Sequence, residues 1–292
     1  MLPLLPHAFA NLSEDFHTRQ NWEGFDNPFV VIENSDLKNE LDINSLGDQQ
    51  LLKIFNGTER MESLKPLSMV YSGHQFGQYV GQLGDGRGLL LGQIRSNSGL
   101  IDIHLKGAGK TPYSRFGDGR AVLRSVIREY LCGEAMHALS IPTSRALMII
   151  GSDEMVIREK SESAAMLART AKTHIRFGSF EYFHYNNQPE NVKALADFSI
   201  DQYSTYFSRT PSAYEDFFRV IVERTASMIA KWQASGFNHG VMNTDNMSIL
   251  WETFDYGPYG FMEDYLPTYV CNHSDHHDDQ NDCKRRLVNN LP

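Results

Sequence analysis

The stretch HGVMNTDN (239–246), followed by DYG (255–257), decides the fold class of this sequence. Directly before it, apolar residues recur at helical spacing and predict a buried helix that ends at Gly236. Its predicted buried residues are Phe217, Phe218, Ile221, Val222, Thr225, Ile229 and Trp232. The stretch is therefore expected to be a loop that begins directly after a long helix and carries Asp245, Asn246 and Asp255.

The spacing within this loop matches a pattern used in phosphoryl transfer. Protein kinases carry H-R-D-x-x-x-x-N and then D-F-G, in which the first Asp accepts the hydroxyl proton and the Asn and last Asp hold Mg²⁺. On that overlay Asn246 and Asp255 are metal ligands, whereas Val241 stands at the position of the proton acceptor. A valine cannot accept a proton. Either the loop does not catalyse ordinary phosphoryl transfer, or Asp245 has become the acceptor.

Two upstream residues fit the same pattern. The apolar runs GLLLGQI (88–94) and LIDIHLK (100–106) flank turn-forming residues and predict a hairpin. An amphipathic helix is predicted over 121–139, with Leu131 among its apolar residues. Lys106 ends the second strand and Glu129 lies in the helix. In kinases such a lysine is held by a helix glutamate, so we expect an ion pair here.

The glycine-rich segments give weaker signals. GQLGDGRG (81–88) does not match G-x-G-x-x-G, but backbone amides in such a turn can bind phosphate because glycine lacks a Cβ. GAGKT (107–111) resembles the end of a Walker A loop, yet His104 stands where the first glycine is required. Further along, RALMII (145–150) and EMVIRE (154–159) predict a second hairpin across Gly151-Ser152-Asp153.

The order of these elements predicts an α+β, protein-kinase-like fold with two lobes. Residues 1–70 are expected to be an irregular N-terminal extension packed on the domain. The N-lobe is predicted over 71–185. A partial C-lobe with the catalytic loop is predicted over 186–275, and residues 276–292 are expected to be a tail.

Composition limits the classes of partner and compartment. The formal net charge of −9 argues against nonspecific binding to nucleic acid or to an anionic membrane, which depends on clustered Lys and Arg. Three cysteines do not form the dense framework of a small secreted domain. The sequence has no apolar run of about 18 residues that would suggest a membrane span. We expect a soluble, cytoplasmic protein.

Several longer strings resemble the selenoprotein O family, which includes the bacterial YdiU proteins. They are YSGHQFG (71–77), GQLGDGRG (81–88), LKGAGKTPYSRFGDGRAVLRS (105–125), SRALMII (144–150), HIRFGSFE (174–181), HGVMNTDNMS (239–248), DYGPYGF (255–261) and CNHSD (271–275). The resemblance implies a pseudokinase fold that binds ATP in a flipped orientation. AMP, rather than phosphate, is then transferred to Ser, Thr or Tyr hydroxyls of proteins. Bacterial members are also associated with UMP transfer from UTP, using Mn²⁺.

The resemblance also implies roles for individual residues. It makes Asp245 the proton acceptor, and Asn246 and Asp255 the ligands of Mg²⁺ or Mn²⁺. Glu129 pairs with Lys106, and Arg169 and Arg176 meet the γ-phosphate. The implied nucleotide contacts are Gly84, Gly86, Arg87, Lys106, Asp118, Gly119, Arg169 and Arg176.

The sequence departs from the family near the metal ligand and at its end. Trp251 replaces a usual glycine and Glu252 replaces an apolar residue. The resemblance ends after Asp275, as expected of a shifted reading frame or a truncated gene. Two alternatives to an AMP-transferring enzyme therefore stay open. One is a catalytically dead nucleotide-binding pseudokinase or scaffold. The other is a small-molecule kinase, although its H-G-D loop also requires an Asp where Val241 stands.

Overall fold

The computed structural model describes residues 2–59, 64–97, 99–266 and 269–272. The chain is a mixed α+β protein that separates into two compact units. The first unit contains Met1–Val70, Leu83–Ala135 and Ser144–His174, and the second contains Tyr71–Gln82, Met136–Thr143 and Ile175–Pro292. The tail predicted over 276–292 lies outside the described residues.

Strands and helices are numbered in chain order. The strands are β1 (Leu4–Leu5), β2 (His17–Arg19), β3 (Phe29–Glu33), β4 (Leu67–Met69), β5 (Gly73–Gln75), β6 (Gln78–Val80), β7 (Gly88–Ser96), β8 (Gly99–Lys106), β9 (Ala121–Val122), β10 (Arg145–Ile157), β11 (Ser161–Ala171), β12 (Phe237–Asn238) and β13 (Gly260–Phe261). The α-helices are α1 (Ser35–Glu40), α2 (Asp48–Phe55), α3 (Leu123–Ala138), α4 (Phe177–Tyr185), α5 (Pro189–Gln202) and α6 (Ala213–Ala234). Short 3₁₀ helices span Ala8–Asn11 and Thr244–Asn246.

One large antiparallel sheet organises the first unit. Its main path runs in the order β2-β4-β7-β8-β11-β10-β3, while β1 pairs with β7 and β9 pairs with β11. Antiparallel neighbours can be joined by tight turns, and β7–β8 and β10–β11 are hairpins of this kind. The hairpin predicted from GLLLGQI and LIDIHLK is therefore confirmed.

Strand β11 shows how the sheet is buried. Met166 and Ala168 pack in one core, whereas Ala165 and Leu167 pack in another, as the two-residue period of a strand requires. The first core includes apolar residues of α2, and the second includes Val126 of α3. Burying a Leu or Met side chain contributes about 1.5–3 kcal/mol, so the middle strands stabilise this unit strongly.

The second hairpin was predicted wrongly. Residues 145–157 form the single strand β10, which pairs with β11 on both sides of an irregularity between Gly151 and Met155. A Cβ on Gly151 would lie 2.6 Å from the Phe29 ring of β3, so this glycine serves close packing rather than a turn. Ser152 is buried, and its hydroxyl donates to the carbonyl of Ala164 on β11.

The N-terminal segment is also more regular than expected. Strands β1 to β4 lie within the first 70 residues and join the large sheet. Helix α2 in the same segment buries four apolar residues in the core of the first unit. Strands of two or three residues carry too little alternation to be recognised from sequence. Pairing with longer strands stabilises them here.

The two long helices, α3 and α6, occur where the sequence predicts them, but the buried face of each helix is narrower than predicted. On α6, Phe217, Ile221 and Trp232 are buried, whereas Phe218 is 57% exposed and Val222 is 44% exposed. Leu131 on α3 is 60% exposed. Each of these exposed residues directly follows a residue of the apolar stripe, so it is rotated by about 100° away from the buried face. Within the described residues, the structure has no helix that is long and apolar enough to cross a membrane.

A buried polar cluster lies beside the sheet of the first unit. The carboxylate of Asp102 on β8 is fully buried and contacts His7 Nε2 at 2.7 Å and His174 Nδ1 at 3.1 Å. The backbone N–H of His174 also donates to it, and the His174 ring stacks on His104. Burial, aided by the charge of His104 and opposed by Asp102, lowers the pKa of His174 to about 3.

This cluster is expected to make stability depend on pH. The folded-state pKa of His174 lies below the ordinary value of 6.5, so protons bind preferentially to the unfolded chain. The contribution of neutral His174 to the free energy of unfolding is complete above pH 6.5. It declines as the pH falls toward 3, by at most about 1.4 kcal/mol per pH unit. Urea unfolding at several pH values should show this decline, and His174→Gln should reduce it. The control His184→Gln changes an exposed histidine on α4. An unchanged slope in His174→Gln would contradict the assignment.

Candidate functional site

A buried cluster of three charges lies in the first unit. Lys106 ends β8, Glu129 lies on α3 and Arg169 lies on β11. Glu129 contacts the Lys106 ammonium at 2.5 Å and the Arg169 guanidinium at 2.9 Å, through different carboxylate oxygens. The predicted Lys106–Glu129 ion pair is therefore confirmed. Two cations share one carboxylate, so the three residues carry a net positive charge that suits an anionic ligand.

The predicted glycine turn has a structural role in the same unit. Gly84 adopts a positive φ of 105°, and a Cβ there would lie 2.5 Å from the Tyr113 ring. A Cβ on Gly86 would lie 2.8 Å from the Tyr113 carbonyl oxygen. Close packing on Tyr113 thus explains both glycines without a ligand. Arg87, the next residue, is exposed.

Asp118 and Gly119 lie in the segment before β9. Arg158 donates to both oxygens of Asp118, at 2.7 and 2.9 Å, and mainly this interaction lowers the pKa of Asp118 to about 2. Gly119 has a φ of 77°, and a Cβ there would lie 2.1 Å from the Gly109 carbonyl carbon. Gly109 lies in GAGKT (107–111), which forms no helix in the structure, unlike the end of a Walker A loop.

The loop after α6 carries the remaining candidates in the second unit. Asp245 lies in the short helix Thr244–Asn246 and is 7% exposed. Gln75 Nε2 donates to Asp245 Oδ2 at 2.9 Å, whereas Oδ1 is buried with no hydrogen-bond partner in the described part of the chain. Burial raises the pKa of Asp245, although the hydrogen bond from Gln75 opposes the shift. One carboxylate oxygen is thus held by Gln75, and the other is a buried acceptor that no hydrogen bond satisfies in the described part of the chain.

Asn246 and Asp255 are the candidate metal ligands. The Asn246 amide nitrogen donates to the Val241 carbonyl at 2.8 Å, which leaves its amide oxygen able to coordinate a cation. Asp255 has a φ of 58°, uncommon for a residue other than glycine, and such backbone strain is concentrated at functional sites. Among the residues that the structure describes, no three His, Cys, Asp or Glu side chains form a metal-binding group.

Arg176 is paired with Asp255 in this unit. Its guanidinium donates to Asp255 Oδ2 at 3.1 Å and lies 4.2 Å from the ring centre of Tyr71 and 5.0 Å from that of Phe254. Arg176 is 1% exposed. Two aromatic rings and one carboxylate therefore fix the orientation of a buried cation, since each interaction favours the charged group.

Sequence reasoning missed two residues beside Asp245. Gln75 holds its carboxylate, and a Cβ on Gly73 would lie 2.5 Å from Asp245 Oδ1. Both lie in the string YSGHQFG (71–77), which carries the family resemblance but no recognisable catalytic motif. A contact between residues 170 positions apart has no local signal, so only the fold reveals it.

Known proteins of one family are similar to this chain over most of its length. A family model described as protein adenylyltransferase SelO matches residues 5–280. The protein nucleotidyltransferase YdiU of Vibrio parahaemolyticus is 53% identical over 271 residues, which cover 92% of this chain and 55% of that protein. The protein of the same name from Yersinia pseudotuberculosis is 50% identical over 276 residues, or 94% of this chain and 57% of that protein. The chain thus spans little more than half the length of these relatives. On the extent of both matches, the chain belongs to the SelO protein adenylyltransferase family.

Proposed function

We propose that this chain has a kinase-like, two-lobed fold and acts as a protein nucleotidyltransferase. It transfers AMP from ATP, or UMP from UTP, to Ser, Thr or Tyr hydroxyls of proteins. The observation that carries the proposal is the Asp245 carboxylate, which is buried and held by Gln75 through one oxygen, while its other oxygen has no hydrogen-bond partner in the described part of the chain. It lies in a loop where Val241 has removed the ordinary kinase acceptor. Membership of the family and the names of the relatives support nucleotidyl transfer.

The proposed chemistry begins with a hydroxyl of the acceptor protein. Asp245 takes the hydroxyl proton while the hydroxyl oxygen forms a bond to the α-phosphorus. The bond from that phosphorus to the bridging oxygen of the leaving group breaks, and its electron pair leaves with pyrophosphate. A positioned general base contributes about 10²–10⁴-fold to the rate of such a step. The balance of atoms requires no further reactant.

Asn246 and Asp255 fit the requirements of a divalent ion. Mg²⁺ is usually bound by one or two carboxylates together with phosphate oxygens and water, and the pair supplies one carboxylate and one amide oxygen. Asp255 is 19% exposed at its side chain, so its carboxylate is accessible. Mg²⁺ or Mn²⁺ bound there would neutralise negative charge on the phosphates.

The cationic side chains are assigned to the nucleotide. In this proposal Lys106, held by Glu129, binds phosphate oxygens, and Arg169 and Arg176 bind the γ-phosphate. Arginine suits this role because its planar guanidinium matches two phosphate oxygens at once. Further nucleotide contacts are assigned to Gly84, Gly86, Arg87, Asp118 and Gly119.

Intact-mass spectrometry is the direct test of the transferred group. After incubation with ATP and Mg²⁺ or Mn²⁺, we expect this chain, or an acceptor protein added to it, to gain the mass of one AMP. Labelled pyrophosphate should be released in equal amount. Samples without metal and samples with AMP in place of ATP are the controls. A gain of phosphate would favour a kinase, and the absence of any gain would favour a nucleotide-binding scaffold; either result overturns the proposal.

A further inference from the structure

The hairpin β5–β6 is hydrogen-bonded to three successive residues of the loop that carries Asp245. The backbone N–H of His74 donates to Thr244 Oγ1 at 2.8 Å, and that of Phe76 donates to Asn243 Oδ1 at 3.3 Å. Between them, the Gln75 side chain donates to Asp245 Oδ2 at 2.9 Å. Residues 74–76 therefore fix residues 243–245 of the loop.

A closed ring of polar contacts supports this arrangement. Thr244 Oγ1 donates to Glu181 Oε2 at 2.6 Å, and Glu181 Oε1 contacts His74 Nδ1 at 3.0 Å. Glu181 lies on α4, so the strand and the loop are both joined to a helix. Side chains that satisfy one another in this way lose rotational freedom, which makes the position of the neighbouring Asp245 well defined.

Gly73 packs directly against the Asp245 carboxylate. A Cβ on this residue would lie 2.5 Å from Oδ1 and 2.9 Å from Cγ of Asp245. Its φ is not in the left-handed region, so the need for glycine comes from space and not from backbone conformation. Any side chain here would collide with Oδ1, the oxygen that has no hydrogen-bond partner in the described chain.

We infer that β5 positions the proton acceptor: Gln75 holds Asp245 Oδ2 by a hydrogen bond, and glycine at position 73 lets the strand pack closely against Oδ1. Gln75 is thus a positioning residue, and the inference rests on the proposed function. The carboxylate has two chemically equivalent oxygens, but the fold makes them different. The hydroxyl proton goes to the Asp245 carboxylate while the new oxygen–phosphorus bond forms and pyrophosphate leaves.

Gln75→Leu tests the inference because leucine keeps much of the volume and removes the donor. We expect kcat to fall about 10–100-fold, as for a misplaced catalytic group, while KM for ATP changes less than about twofold. Gln78→Leu is the matched control, since Gln78 is paired with Gln75 in the hairpin and is exposed. Its kcat should stay at the parent value.

A double-mutant cycle separates positioning from a general structural role. In an Asp245→Asn background, Gln75→Leu should cause little further loss of kcat, because the group that it positions no longer accepts a proton. Gly73→Ala should likewise reduce kcat in the parent and have only a small effect on kcat in the Asp245→Asn background. Urea unfolding of each variant checks that it is folded.

Each outcome decides a separate question. If the parent transfers AMP and Gln75→Leu transfers it equally fast, the inference is overturned and the proposed function stands. Equal losses from Gln75→Leu in the parent and in Asp245→Asn would also overturn it, since the effect would not pass through Asp245. A parent that transfers no nucleotide overturns the proposed function itself, and the inference with it.

Discussion

Asp245→Asn is expected to lower the rate of nucleotidyl transfer by about 10²–10⁴-fold, the usual contribution of a general base. Asparagine has nearly the same shape as aspartate, and its amide oxygen can still accept the hydrogen bond from Gln75. The substitution therefore removes the proton-accepting charge and leaves the local packing in place. Because nucleotide binding is assigned to other side chains, the affinity for ATP should stay close to that of the parent.

Single-turnover transfer and calorimetric titration of ATP measure the two quantities separately. Asp264→Asn is a suitable control, because it makes the same chemical change at an exposed position. Val241→Asp, which restores an aspartate at the kinase position, should not rescue Asp245→Asn if the acceptor must lie where β5 holds it. Parent-level turnover in Asp245→Asn would leave the hydroxyl proton without an acceptor and refute the mechanism.

Local patterns in the sequence predicted several of the long elements correctly. The hairpin β7–β8 and the helices α3 and α6 each carry enough residues for their period to be recognised. The errors occurred where tertiary packing decides the local structure. Gly151 looks like part of a turn, but it is a glycine because the Phe29 ring packs against it. No pattern within residues 145–157 contains that information.

The candidate site likewise contains some contacts that a motif predicts and others that only the fold reveals. The Lys106–Glu129 pair could be predicted because one motif gives both residues, and the 2.5 Å contact confirms it. The motif did not decide whether Asp245 is the proton acceptor, because Val241 shows only that the usual acceptor position is occupied by a residue that cannot accept a proton. Gln75 and Asp245 are distant in sequence, so their hydrogen bond could not be predicted from a local pattern. Only the fold shows that the two oxygens of Asp245 have different surroundings.

The two arginines are held by different partners. Arg169 shares the Glu129 carboxylate with Lys106 in the first unit, whereas Arg176 is held by Asp255 and two aromatic rings in the second. A buried cation is stable only when it is paired or otherwise compensated. Replacing either partner carboxylate therefore disturbs an arginine as well, and variants at these positions must preserve shape.

Asp255→Asn preserves the shape of the side chain and is expected to abolish metal-dependent nucleotidyl transfer. Asparagine can still accept the hydrogen bond from Arg176, so the buried guanidinium keeps a partner. It lacks the negative charge that binds a divalent ion, and a metal ion contributes several kcal/mol to a transition state of this type. We expect a loss on the order of 10³-fold at fixed metal concentration, since each 1.36 kcal/mol is a factor of ten.

Titration with Mn²⁺ distinguishes a loss of metal affinity from a loss of fold. The parent should show saturable activation and a rise in thermal midpoint when metal and ATP are added together, because ligands that bind the folded state stabilise it. Asp255→Asn should lose both responses while its midpoint without ligands stays near the parent value. Asp264→Asn again controls for the change in net charge. Transfer near the parent rate in Asp255→Asn, at the same metal concentration, would remove Asp255 from the set of ligands, and with it the reason for its strained backbone beside Arg176.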